Sequence, residues 1–123
     1  MVTGIRRTTV QGVREHSGPV TFALGMLLVS IGIAGFLAVG SGEQLGLPVS
    51  MPLSVLHLTV GATLVSAAIL GPRPARVAAT GAGLMVLALG LAGLAGATRI
   101  APDGADVALH LVLGIALTAV GRR

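Results

Sequence analysis

Long apolar runs separated by short polar breaks set the pattern of this chain. No Asp, Glu, Lys or Arg lies between Glu15 and Glu43, and none from Gln44 to Pro72. A third uncharged run covers Val77 to Thr98, and a fourth covers Val107 to Gly121. Crossing the hydrocarbon core of a bilayer takes about 20 apolar residues as a helix. The first three runs meet that length. The fourth is shorter and needs Asp106 and Arg122 at the two interfaces, with local thinning or snorkelling side chains absorbing the mismatch. The pattern predicts helices over about 19–39, 52–70, 75–97 and 104–120, after a polar tail over 1–18 and before a basic end at 122–123.

The breaks carry their own signals. Pro19 and Pro52 suit first turns, where a missing N–H costs nothing. Gly71-Pro72-Arg73-Pro74-Ala75-Arg76 reads as a tight turn that stops one helix and prepares the next. Asp103 is the expected N-cap of the fourth helix, and Asp106 lies in its first turn, where the helix dipole favours a carboxylate. The Arg6-Arg7 pair ahead of an apolar run also fits a twin-arginine export signal, with Ala38-Val39-Gly40 as a small-residue cleavage site. The run from Val20 to Gly40 is longer than the roughly 7–15 residues of a signal core. It also reappears later in the chain, so it is read as a retained helix.

Composition turns these runs into a membrane assignment. The chain has 123 residues, 54% hydrophobic and 10% charged, against about 25% charged in ordinary soluble domains. Twelve charges cannot clothe a soluble surface of this size, so the fold class is an all-α four-helix transmembrane bundle with the lipid bilayer as its first partner. Arginines set the orientation. Arg6, Arg7, Arg14, Arg73, Arg76, Arg122 and Arg123 collect on one side, and Arg99 alone falls with Glu43, Asp103 and Asp106 on the other. Both termini are expected in the cytoplasm, with the protein in the cell inner membrane. The arginines occupy separate short segments and form no basic face, so nucleic acid is not an expected partner. There is no cysteine, which removes disulfides and thiolate chemistry.

The chain also repeats. Leu56-His57-Leu58-Thr59-Val60-Gly61 returns 53 residues later as Leu109-His110-Leu111-Val112-Leu113-Gly114. Gly25, Gly32, Ala34 and Gly35 return 58 residues later as Gly83, Gly90, Ala92 and Gly93. The chain therefore reads as two tandem helical hairpins, a parallel repeat about an axis along the membrane normal. Membrane helices associate through close backbone approach at small residues. Gly32, Gly35, Gly61, Gly90, Gly93 and Gly114 are the candidate packing positions. Ridges at spacing four, Ser30/Ala34/Ala38, Ala62/Ser66 and Ala88/Ala92/Gly96, point to the same tight bundle.

The two leucine-histidine phrases with Gly61 and Gly114, together with Arg76, Asp106 and Gly32-Ile33-Ala34-Gly35-Phe36, resemble a group of small actinobacterial membrane proteins. That family has four helices and is catalogued as a domain of unknown function, of the four-three-eight-three type. The resemblance covers roughly residues 20–121 and implies the four-helix architecture. It implies no activity. The family's aromatic and asparagine residues near these histidines are replaced here by Leu53-Ser54 and Val107-Ala108, and the interfacial Tyr and Trp belt is absent.

His57, His110 and Asp106 are the candidate polar site. Each histidine lies four residues before a glycine, on the face where a neighbouring backbone approaches. Each sits about five residues below its helix start, roughly 8 Å at 1.5 Å per residue, in the outer half of the membrane. An ionisable residue at membrane depth is a functional candidate by default. The readings weighed are histidines that lock helix packing, axial ligands of a haem with Arg99 beside a propionate, a divalent metal site that adds Asp106, and a proton or solute path. No GxSxG, HExxH or phosphate-loop phrase and no pair of buried carboxylates is present. The expectation is a non-enzymatic structural or accessory membrane component with no cofactor, as a homo-oligomer or with a membrane-protein partner. The alternatives are a haem- or metal-binding protein and a small transporter.

Overall fold

The computed structural model describes residues 17–41, 50–97 and 104–123. Four helices account for nearly all of them: α1 (Ser17–Ser41), α2 (Met51–Leu70), α3 (Pro72–Leu94) and α4 (Gly104–Gly121). All four are long and apolar enough to cross a membrane. At 1.5 Å per residue the 18 residues of α4 span about 27 Å, just under the hydrocarbon thickness of about 30 Å. The expected short fourth span is therefore a complete helix. Asp103, Glu43, Arg99 and the N-terminal Arg6, Arg7 and Arg14 lie outside the described residues.

Helix ends differ from the sequence expectation where prolines and glycines act locally. The anticipated six-residue turn before α3 shrinks to one residue, Gly71, at φ 127° and ψ 178°. That conformation is open almost only to glycine. Pro72 and Pro74 then fall inside the first turn of α3, where no N–H is needed. The far end of α3 comes three residues earlier than expected, because Gly96 adopts the left-handed conformation at φ 67°. Gly96 N–H donates to Gly93 O (3.0 Å) and Ala97 N–H to Ala92 O (2.8 Å), the paired bonds of a Schellman stop. At the start of α2, Ser50 caps by accepting the Leu53 N–H at 3.4 Å. Ser17 and Gly18, expected in the tail, are part of α1.

Two hairpins carry most of the packing, α1 with α2 and α3 with α4, and they meet through α2 with α3 and α1 with α3. Their buried faces correspond position by position. Ser17, Thr21, Gly25, Leu28 and Gly32 are buried on α1, and so are Ala75, Ala79, Gly83, Val86 and Gly90 on α3, each 58 residues on. On α2 the set Leu53, Ser54, His57, Val60, Gly61 and Leu64 is matched on α4 by Asp106, Val107, His110, Leu113, Gly114 and Leu117, each 53 residues on.

The glycine contacts repeat as well. A Cβ on Gly25 would stand 2.9 Å from the Val65 nitrogen, and one on Gly83 would stand 2.5 Å from the Thr118 nitrogen. Gly32 lies against Leu58 and Gly90 against Leu111, while Gly61 meets Val29 and Gly114 meets Leu87. Each of these three glycine pairings in the first hairpin has its counterpart in the second. Lipid tails are as apolar as leucine, so such backbone proximity, through many dispersion contacts, is what holds membrane helices together.

The spacing-four ridges are corrected. Ser30, Ala34, Ala62, Ser66 and Ala88 are exposed, and of the first ridge only Ala38 is buried. A buried stripe on a straight helix alternates steps of three and four, and the glycine-leucine faces follow that period while the ridges drift off it. Gly35 is buried and Gly93 half-buried. The expected packing set omitted Gly25 and Gly83, two of the closest contacts in the bundle.

Candidate functional site

His57 and His110 occupy the seventh position of α2 and of α4, so both lie at the same depth, about 9 Å from their helix starts at 1.5 Å per residue. Both are buried, His110 at 1% exposure. Their rings meet across the bundle with centroids 5.8 Å apart and planes tilted by 36°. The two residues are equivalent in the repeat and touch each other, so the pseudo-two-fold axis passes between them. The sequence placed them at matching depth. That they meet on one axis is new.

Each ring is tied to its own helix. His110 Nδ1 lies 2.6 Å from the carbonyl oxygen of Asp106, four residues back, and can only donate to it. The ring of His57 is hydrogen-bonded to the backbone of Leu53, also four residues back. A helix carbonyl is already engaged by its own ladder, so this bond mainly fixes the tautomer. It leaves His110 Nε2 as an acceptor. That nitrogen is buried with no hydrogen-bond partner among the described residues. A small cavity opens beside the pair, lined by Leu28, Leu56, His57, Val60, Val86, His110 and Leu113. Its volume of about 10 Å³ gives room for one water molecule.

The Asp106 backbone carbonyl accepts from His110. The residue is buried at 6% exposure in the first turn of α4, where Leu53 stands in the other hairpin. Among the described residues no three His, Asp or Glu side chains gather into a group that could hold a metal ion. Of the three candidate residues, the two rings meet each other and the Asp106 carbonyl oxygen accepts from His110. The cavity beside the rings, about 10 Å³, compares with roughly 300–1,000 Å³ for a site that encloses a drug-sized ligand.

Several other membrane-depth hydroxyls are closed onto their own helices. Ser30 donates to Met26 O, Thr59 to Val55 O, Thr63 to Thr59 O and Thr118 to Gly114 O, at 2.7–2.9 Å. Thr21 differs: it is fully buried and its Oγ1 has no partner among the described residues. Sequence reasoning passed over Thr21, though its repeat equivalent Ala79 is equally buried.

No curated protein and no solved structure matches this chain. The sequence model described as "Domain of unknown function (DUF4383)" matches residues 19–122, and the chain belongs to that family.

Proposed function

We propose that this protein is a non-catalytic structural or accessory component of the cell inner membrane, crossing it four times with both termini in the cytoplasm. The observation that carries this reading is the closure of the bundle interior. Its two histidines adjoin a cavity with room for one water, and the hydroxyls of Ser30, Thr59 and Thr63 bond back to their own helices. A catalyst or carrier needs a concave site with convergent polar groups or a continuous polar path. The orientation is supported by the arginines. Arg73, Arg76, Arg122 and Arg123 stand at one end of the described bundle, and Asp106 stands at the other.

On this reading the working surface is the lipid-facing exterior, where Ile69, Leu70, Val77 and Leu94 are each about 70% exposed. Proteoliposomes of the purified protein should show proton permeability equal to empty vesicles. Photo-cross-linkers at Ile69, Val77 and Leu94 in native membranes should give a stoichiometric adduct, with a second copy or with another membrane protein. Proton flux that disappears in His57→Ala would overturn the proposal.

A second reading keeps His57 and His110 as a site for a single small ligand. It is favoured by the buried, unpartnered Nε2 of His110. Metal analysis of the same preparation separates the two. One equivalent of bound metal per chain, lost in His110→Ala, would replace the first reading with the second.

A further inference from the structure

The end of the bundle that holds the arginines also holds an open groove. Arg73, Arg76, Val77, Thr80, Gly81 and Gly121 line an open cleft of about 350 Å³ between the start of α3 and the end of α4. Its existence follows from small residues. Gly121 lets α4 press onto α3, because a Cβ there would collide with Thr80. Gly81 faces outward with nothing within 4 Å of a Cβ position, so the helix surface is hollow at that point.

The groove is amphiphilic along its length. Its mouth carries the Arg73 and Arg76 guanidiniums, one turn apart on the first two turns of α3, with the positive end of the helix dipole beneath them. Arg122 and Arg123 follow at the adjoining end of α4. The one acidic side chain among the described residues, Asp106, lies at the far end of α4, about 22 Å away at 1.5 Å per residue. Below the arginines the lining turns apolar: Val77 is 69% exposed, and the hollow at Gly81 continues towards exposed Leu84 and Met85.

We propose that this groove binds one anionic phospholipid. Its phosphate would be held by Arg73 and Arg76, with Thr80 beside it, and one acyl chain would lie in the hollow at Gly81. Guanidinium groups present paired donors matched to phosphate oxygens, and basic clefts between transmembrane helices are suited to anionic headgroups. The apolar floor decides the source of the phosphate. A free phosphate uses only the mouth, whereas a phospholipid uses mouth and floor together.

Native mass spectrometry of the protein released from phosphatidylcholine nanodiscs containing phosphatidylglycerol tests this, with matched acyl chains. The expected result is retention of one phosphatidylglycerol in preference to phosphatidylcholine. The double variant Arg73→Gln/Arg76→Gln should lose that preference about tenfold or more, from the contribution of each arginine near a charged headgroup. Arg122→Gln/Arg123→Gln removes the same charge outside the lining and should change it far less. Gly81→Leu, whose Cβ meets no neighbour within 4 Å, occupies the hollow with its side chain and should weaken retention at constant charge. Equal retention of both lipids, equal loss in the two arginine pairs, or displacement by millimolar inorganic phosphate would overturn the proposal.

Discussion

Gly83→Leu separates α3 from α4, while Gly81→Leu, two residues away, leaves the bundle intact. A side chain at Gly83 meets the nitrogen and the hydroxyl of Thr118 at 2.5 Å and the Gly114 carbonyl at 3.0 Å. Two of those three atoms are backbone, so no rotamer change relieves the clash and the helices must move apart. Forcing extra volume into a packed interface costs about 1–3 kcal/mol, and more when the obstacle is backbone. At Gly81 an added Cβ meets nothing within 4 Å. The measurement is the unfolding midpoint in mild detergent as SDS is raised, with α3–α4 proximity followed by an engineered disulfide. Gly25→Leu should behave like Gly83→Leu, since Gly25 faces Val65 at 2.9 Å in the equivalent place. Equal midpoints for the Gly81 and Gly83 variants would contradict the packing account.

His110→Ala is expected to destabilise the bundle by about 2–4 kcal/mol, in the range of other large-to-alanine changes at buried positions. His110→Leu should restore most of that loss. The ring is almost fully buried, and its removal merges a new void with the cavity already beside it. Leucine refills the volume. It forgoes the bond to the Asp106 carbonyl but also removes an acceptor that has no partner among the described residues. Replacing a poorly satisfied polar group with an apolar one of similar shape is close to neutral. The same unfolding assay distinguishes the roles. A leucine variant as unstable as the alanine variant would mean that Nε2 has a partner, and would favour the ligand-binding reading.

The membrane assignment and the number of helices were legible because both rest on run length and charge placement, which need no tertiary information. The repeat was legible for a related reason: the phrases around His57 and His110 are alike because their surroundings are. Helix ends were less so. Whether Pro72 and Pro74 sit in a turn or in the first turn of a helix depends on Gly71 alone, and the early stop of α3 depends on the left-handed Gly96.

Packing faces were misread where spacing alone was used. Ser30, Ala34 and Ala88 are small and regularly spaced yet exposed, whereas Gly25 and Gly83 are buried because their period follows Leu28 and Val86. The contact between the histidines could not be read from the chain. It joins α2 to α4, two helices with few direct backbone contacts, through the side chains on the pseudo-two-fold axis. The basic groove was equally hidden, since it requires Gly121 to draw α4 against Thr80.

The central claim is that two equivalent hairpins close around His57 and His110, ring against ring. Proton NMR of the chain labelled only in histidine, diluted into unlabelled chain within lipid nanodiscs, reads that contact within single molecules. The account predicts a cross-relaxation peak between the His57 and His110 rings, consistent with centroids 5.8 Å apart, that is lost in Gly83→Leu. Two assigned histidine signals with no such peak in the native protein would contradict it.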